Sequence, residues 1–433
     1  MTQIIGIRNE DKYLMERRVA IIPEQVSELV SKGIDVHVER SPKRVFTHAE
    51  YEAAGALVTD SLEDAGLIFG VKEIPLNSFE PSKTYVFFSH VIKGQSYNMP
   101  MLKQMMSLGC NLIDYEKIEN EHGRRLIFFG RFAGLAGAIN SFWALGQRLK
   151  VQGIDNPFQG LRQSYNYGSL DEAVTDIAKV GEQISRYGLP STISPLIIGI
   201  TGYGNVSLGA QEIVDELPYI EIDADELLKM DMTKASSHHV YKIVFKKQDL
   251  SRHKDPFQSF DPHMYSKHPE DYVNNFERFV PRLSVLLNCM YWDSRFPRLI
   301  TKDYLEVLYS QAEPKLKVIG DITCDPDGSI EATHKGMGID EPVFVYDPFT
   351  RKPQLGFDGK GILIMAVDIL PSELPREASQ SFSQALFPYV ERIARADFNL
   401  PYEQLALPDP IKKALILHKG KLTPPYTYLD RYL

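Results

Sequence analysis

Residues 196–226 constrain the fold of this chain more than any other stretch, and they read LIIGITGYGNVSLGAQEIVDELPYIEIDADE. The apolar run at 196–200 predicts a buried strand. Gly202 and Gly204 allow a tight turn after it, residues 210–217 have helical spacing, and residues 219–222 predict a second short strand. In outline this is a nucleotide-binding β-α-β unit. There the glycines let the backbone approach a pyrophosphate at a helix N-terminus, and an acid about 20 residues further on meets the adenosine ribose. Asp223 stands at that place. The third glycine of the usual G-x-G-x-x-G pattern falls on Ser207, with Gly209 two residues later, so the turn is a variant. A purely structural strand-turn-helix has the same outline, and on this stretch alone both readings stand.

A chain of 433 residues exceeds what one core usually serves, and 43% hydrophobic content is ample for two. Cys110, Cys289 and Cys324 are odd in number and too widely spaced for a Cys-x-x-Cys site, which favours a reduced cytoplasmic protein without structural zinc. The N-terminal residues pass directly into a strand pattern at 3–8, and no apolar run reaches a membrane span, so a soluble, unsorted protein without membrane or nucleic-acid partners is expected. A formal charge of −9 agrees, since phosphate binding along a nucleic acid needs concentrated Lys and Arg. Any anionic substrate must meet locally placed cations.

Upstream of the glycine turn the chain alternates strand and helix patterns. A helix opening after Pro23 and stopping at Gly33 follows the first strand. Strands at 35–39, 67–72, 85–90 and 111–115 come next, with helices between them. Such alternation predicts an α/β fold with mainly parallel sheets, which bind ligands beyond the carboxyl ends of their strands. Residues 131–150 form a long helix whose small residues, Ala133, Gly134, Ala136, Gly137 and Ala138, suit close packing or close approach to a ligand. After the glycine turn, strands are expected at 241–247, 284–291, 317–323, 343–346 and 361–367. Residues 247–281 read as a strand-poor surface excursion, and Pro388 is expected to kink or break a long helix at 375–397.

Lys72 and His90 end two apolar strands that are expected to be neighbours. A desolvated lysine and a histidine both titrate near neutrality, so the pair could pass protons to and from a substrate, although each has an ordinary structural reading as well. Arg18 could hold a carboxylate bidentately or belong to an ion pair. Asp321, at the end of a strand, could fix a ligand hydroxyl or simply cap. His238 and His239 are adjacent and point apart, which disfavours a metal site.

The segments RRVAIIP, VKEIP, YVFFSHVIKGQ, FAGLAGAIN, GYGNVSLGAQEI, GDITCDPDGSIE and VDILPSELPREAS occur in this order across most of the chain. Together they resemble the lysine-ketoglutarate reductase part of the bifunctional aminoadipate-semialdehyde synthases and, more distantly, lysine-forming saccharopine dehydrogenase and alanine dehydrogenase. The resemblance implies two Rossmann-like domains with parallel sheets and an active-site cleft between them. One is a catalytic domain of residues 1–131 plus 375–433, and the other a dinucleotide-binding domain of residues 132–374. It implies reductive condensation of L-lysine with 2-oxoglutarate to saccharopine, or the reverse. Lys72 and His90 match the family's acid/base groups, and Asp321 the aspartate beside the nicotinamide. Arg18, Gln95 and Arg131 match substrate-binding positions. Gly202, Gly204, Asn205, Val206, Asp223, Met290, Tyr291, Asp368, Ile369, Leu370 and Pro371 match cofactor contacts.

The resemblance points to NADP, whereas Glu221 and Asp223 put acids where a 2′-phosphate wants an arginine, so use of both NADP and NAD is expected. With the sequence ending at Leu433, a separate saccharopine-cleaving dehydrogenase is expected to act next. Two other functions fit the same motifs: an alanine-dehydrogenase-like amino-acid dehydrogenase, and a catalytically silent dinucleotide-binding regulatory subunit. Lys72, His90 and Arg18 standing together argue against silence.

Overall fold

A computed structural model describes residues 4–433 of the chain, which divide into two compact units, Met1–Phe129 with Pro375–Leu433, and Gly130–Leu374. Gln3, expected to open the first strand, lies outside the described residues. In chain order the first segment gives β1 (Ile5–Ile7), α1 (Pro23–Ser31), β2 (Val36–Glu39), α2 (His48–Ala53), β3 (Leu57–Thr59), β4 (Leu67–Phe69), β5 (Thr84–Phe87), α3 (Met99–Ser107) and β6 (Asn111–Asp114). The second unit opens with α4 (Gly130–Val151) and α5 (Leu170–Tyr187), then β7 (Leu196–Thr201), α6 (Asn205–Val214), β8 (Tyr219–Glu221) and α7 (Ala224–Lys229). It continues through β9 (Val240–Phe245), α8 (Lys247–Leu250), β10 (Ser251–His253), α9 (Pro262–Lys267), β11 (Tyr272–Asn274), β12 (Val285–Asn288), α10 (Lys302–Gln311), β13 (Val318–Asp321), β14 (Val343–Asp347), β15 (Lys352–Leu355) and β16 (Ile362–Met365). The chain then adds α11 (Pro375–Ala394), α12 (Asp409–Ala414), β17 (Leu415–His418) and β18 (Lys421–Leu422) to the first unit.

Local chemistry explains the helix ends. Pro23 begins α1 with its φ already helical, and Val26 and Leu29 turn into the core. Thr47 and Glu50 form a reciprocal capping box on α2, and Gly188, at φ 75°, terminates α5. Each unit is built on an eight-stranded sheet, ordered β18-β17-β6-β5-β4-β1-β2-β3 in the first and β15-β14-β16-β13-β12-β7-β9-β8 in the second. The β1–β6 strands run parallel, and β17 and β18 extend that sheet antiparallel. In the second sheet only β14 runs against the other strands, pairing antiparallel with β15 and β16. The architecture is the expected two-domain α/β fold with parallel-rich sheets.

Three local features add to the expectations. The excursion at 247–281 is strand-poor, and its two short strands, β10 and β11, pair as a small antiparallel sheet. Pro388 does not break α11: it and Gln384, whose carbonyl loses its partner, are both exposed, while Phe382, Leu386, Val390 and Ile393 hold the helix in the core. β17, an apolar run with no strand expected in it, extends the first sheet between β6 and β18.

The small residues of α4 serve packing. A side chain on Gly134 would collide with the Val206 carbonyl of α6, one on Gly209 with the Arg131 carbonyl, and one on Gly137 with Ile322. Gly209 thus does for the helix contact what the third glycine of the usual motif does.

Candidate active site

The carboxyl ends of β1, β4, β5 and β6 gather the polar groups of the first unit. β4 and β5 are neighbours, with Leu67 opposite Thr84 and Phe69 opposite Val86, so Lys72 and His90 leave adjoining strands. Between β1 and β4 stands buried Glu10, whose two oxygens accept the main-chain N–H groups of Val71 (2.7 Å) and Lys72 (2.9 Å). Burial, together with nearby Glu16, raises the Glu10 pKa despite Arg8 and these two hydrogen bonds. The Lys72 ammonium lies 5.5 Å from the Tyr13 ring and helps hold down the pKa of buried Glu16.

His90 has φ 50°, a left-handed conformation that a non-glycine residue adopts only under constraint. Asn98 supplies part of it, donating from Nδ2 to the Ser89 and His90 carbonyls at 3.0 and 3.3 Å. The His90 Nδ1 sits 2.7 Å from Glu73 Oε1, and Lys12 Nζ is 2.7 Å from Glu73 Oε2. Burial alone would raise the Glu73 pKa, but the hydrogen bonds from His90 and Lys12 hold it at about 2. An ionised carboxylate on Nδ1 fixes the imidazole as an Nδ1–H donor and leaves the acceptor role to Nε2. Beneath this layer, Asp114 at the end of β6 accepts from the Ser89 hydroxyl and amide, and burial raises its pKa to about 6.

Arg18 is buried and already paired. Its Nε and Nη2 donate to Glu16 at 2.8 and 2.6 Å, and its guanidinium lies 4.1 Å from the Phe129 ring centroid. One edge of the fork therefore belongs to Glu16. Gln95 is half-buried on the loop after His90, its Oε1 accepting from the Lys93 amide. The Tyr428 hydroxyl ties this loop down at the Ile92 carbonyl.

In the second unit, β7 passes through Gly202, at φ 83°, into α6. A side chain at Gly202 would press on Met290 Cα at 3.2 Å, whereas one at Gly204 would meet no atom within 4 Å. No side chain caps α6, which starts at Asn205 and Val206. An open glycine and an uncapped ten-residue helix start fit a pyrophosphate, so the residues present suit a dinucleotide. Met290 is half-buried beside the turn and Tyr291 is exposed. Asp368 is exposed, Ile369 and Leu370 are buried, and Pro371 is half-buried.

Three of the expected site residues have partners within the second unit. Arg131 forms a two-pronged ion pair with Glu212, joining α4 to α6, so the group expected on substrate is engaged within the second unit. Asp321 is 1% exposed and accepts from Thr333 (2.6 Å), Asn288 (2.8 Å) and Thr323 (2.8 Å), so it fixes the ends of β12 and β13. Asp223, expected beside the glycine turn, caps α7 by accepting from the Glu226 amide at 2.8 Å, and its strand β8 does not touch β7. His238 and His239 bond to the Ser185 carbonyl and the Ser236 hydroxyl. Sequence reasoning missed Glu10, Lys12, Glu16 and Glu73. The only signal for them was a charged run directly after β1 and an acid beside Lys72.

Two parallel-rich sheets, a glycine turn opening a helix, and titratable groups on strand ends define the class of two-domain, dinucleotide-linked α/β proteins. The chain belongs to the alanine dehydrogenase/PNT family, whose N-terminal domain matches residues 6–136 and whose C-terminal domain matches residues 274–425. It is 40% identical to an Arabidopsis thaliana protein named alpha-aminoadipic semialdehyde synthase, over 99% of this chain and 41% of that one. To the mitochondrial protein of that name from Rattus norvegicus it is 34% identical, over 99% of this chain and 48% of that one. The chain thus spans less than half the length of these relatives. A Neurospora crassa protein named saccharopine dehydrogenase [NAD(+), L-lysine-forming] is 28% identical over 89% of this chain and 90% of its own. Among solved structures, an L-alanine dehydrogenase superposes with a TM-score of 0.61 at 18% identity, covering 99% of both chains, and shares the fold. Among the described residues no helix is long and apolar enough to cross a membrane.

Proposed function

We propose that the chain is an NAD(P)-dependent oxidoreductase acting on CH–NH groups, which joins L-lysine to 2-oxoglutarate reductively to give saccharopine, or runs the reverse. The observation that carries this reading is the Lys12–Glu73–His90 chain beside Lys72, on the carboxyl ends of adjoining strands. The names of the plant, rat and fungal relatives support it.

The chemistry sets the demands. Lysine's ε-amine must be neutral to attack the ketone, the carbinolamine must lose water, and the imine must carry a proton before it is reduced. In the proposal the His90 Nε2 takes the amine proton and returns it to the departing hydroxyl, while the Glu73 carboxylate steadies the imidazolium between the two events. Lys72, its backbone fixed on Glu10 and its ammonium near Glu16, serves the second proton position. Arg18 receives a substrate carboxylate on the edge that Glu16 leaves, and Gln95 contacts the substrate from the loop after His90.

Gly202, Gly204, Asn205 and Val206 would hold the coenzyme's pyrophosphate, with Met290, Tyr291 and residues 368–371 as further contacts. When bound, the coenzyme supplies or accepts the hydride. In this reading residues of the first unit serve the substrate and residues of the second the coenzyme.

The test is coenzyme oxidation with lysine plus 2-oxoglutarate, set against ammonia plus pyruvate. Turnover with the first pair supports the proposal, turnover only with the second makes the chain an amino-acid dehydrogenase, and turnover with neither removes the enzymatic reading. Saccharopine would pass to a cleaving dehydrogenase that acts next. We place the reaction in the cytoplasm, which fractionation checks, since the rat relative's name says mitochondrial.

A further inference from the structure

The glycine turn and the acid expected near it are separated by the order of the strands. In the usual unit the strand following the first helix lies beside the glycine-turn strand, and its terminal acid meets the ribose. Here β9 takes that position. It pairs with β7 over six residues, from Leu196 opposite Val240 to Thr201 opposite Phe245, and the Gly202 amide donates to the Phe245 carbonyl at 3.3 Å. The β8 strand that carries Asp223 pairs only with the far side of β9 and ends with Glu221 opposite Lys242, three residues before β9 does. At about 4.8 Å per strand, β8 is about 9.6 Å from β7, twice the distance the usual acid must bridge.

The charges at the two strand ends are also opposite. Asp223 is committed to the Glu226 amide, and Glu221 lies 3.6 Å from the buried Lys242 ammonium, which Asp215 holds at 2.7 Å. At the end of β9 stand Lys246 and Lys247, both exposed. The register places Lys246 level with Gly202, one step beyond the pair of Thr201 and Phe245. The acid nearest in sequence, Asp249, accepts the main-chain N–H of Lys246 at 2.7 Å. A dinucleotide with its pyrophosphate on the start of α6 would therefore bring its adenosine ribose to two ammonium groups.

We propose that Lys246 and Lys247 recognise the ribose 2′-phosphate and select NADPH over NADH, and that Asp223 takes no part in this choice. The inference rests on the dinucleotide-binding reading given above. A lysine pair suits a phosphate monoester as point charges, and it has no counterpart to the hydrogen bonds by which an acid holds an unmodified ribose.

The experiment is equilibrium binding, followed by calorimetry, of NADPH and NADH and of the fragments 2′,5′-ADP and 5′-AMP to the full chain and its variants. The expected result is NADPH at least tenfold tighter than NADH, with 2′,5′-ADP preferred over 5′-AMP to a similar degree. Lys246→Ala combined with Lys247→Ala should weaken NADPH by about 10- to 100-fold and leave NADH within about twofold, while Asp223→Ala leaves the ratio unmoved. Both lysines are exposed, and unchanged circular dichroism would show that the double variant folds. Lys246→Asp should shift the ratio further towards NADH. Binding of both coenzymes with an unmoved ratio in the double variant, or a wild-type preference for NADH, overturns the lysine assignment alone. Failure of either coenzyme to bind the wild type overturns the dinucleotide reading together with it.

Discussion

The two sheets of this protein share a parallel architecture and end in opposite chemistry. At the carboxyl ends of β1, β4, β5 and β6 the first unit crowds paired charges, with Glu10 on two amides, Glu73 between Lys12 and His90, and Glu16 on Arg18. At the end of β7 the second unit presents Gly202, Gly204 and an uncapped helix start. A carboxylate that stays ionised and orients a neighbouring imidazole suits proton exchange with a substrate, whereas bare main-chain N–H groups suit a phosphate. One fold thus carries two kinds of site because the strand ends, not the sheet, set the chemistry.

The comparison breaks most sharply at the charged end. His90→Gln and Lys72→Met should each lower turnover by about 10²- to 10⁴-fold while coenzyme binding stays near wild type. Glu73→Gln should cost less, since it removes the group that orients His90 and not the exchanging atom, and it should also displace one limb of the pH–rate profile. Steady-state kinetics over pH, with coenzyme titrations alongside, checks all three. Equal loss of coenzyme affinity would show that the division of labour is wrong.

Next in size is the glycine end. Gly204→Val projects into open space, so thermal stability should hold while coenzyme affinity falls by roughly tenfold or more. Gly202→Ala meets both a left-handed backbone and Met290, and it should lose about 1–2 kcal/mol of stability as well. Denaturation melts and coenzyme titrations separate the two variants.

Stability against pH sharpens the contrast within the first unit. Glu73 has a folded pKa of about 2, below its unfolded value of 4.5, so its contribution is complete above pH 4.5 and is lost as pH falls through 2. Removing the pairing with Glu73→Gln should flatten that acid limb by an amount on the order of 2 kcal/mol. Asp114 works in the other direction. Its pKa of about 6 lies above the ordinary 3.8, so stability is highest below 3.8 and declines as pH rises through 6. Relative to wild type, Asp114→Asn should therefore gain stability between those values. Urea melts across pH 3–7 test both signs.

The smallest effect belongs to Arg131. Its pair with Glu212 is exposed on both sides, so Arg131→Ala should cost about 0–1 kcal/mol and leave the Michaelis constant for the keto acid unchanged. A large rise in that constant would return Arg131 to the substrate.

Much of the fold was legible because its signals are local. The run 196–200 followed by Gly202 and Gly204 marked β7 and its turn, and apolar runs ending in Lys72 and His90 marked two strands that are indeed adjacent. The small residues of α4 could be narrowed only to packing or ligand approach until Val206 and Ile322 were seen against them. Whether Pro388 breaks its helix could not be read locally, because its cost depends on whether the carbonyl it orphans can reach water, which the helix's orientation decides.

The sequence by itself determined the alternation of strands and helices, the glycine turn, the helix caps and the identity of the titratable strand ends, since hydrophobic period and backbone preference act over a few residues. Only the tertiary structure decided who meets whom. Glu73 adjoins Lys72 in the chain yet bonds to His90, and Arg18 is turned onto Glu16. β9, not β8, lies beside β7, placing lysines where the sequence had suggested an acid. The reason is that strand order and side-chain pairing are settled by burial and charge between segments distant in sequence, and no local period carries that information.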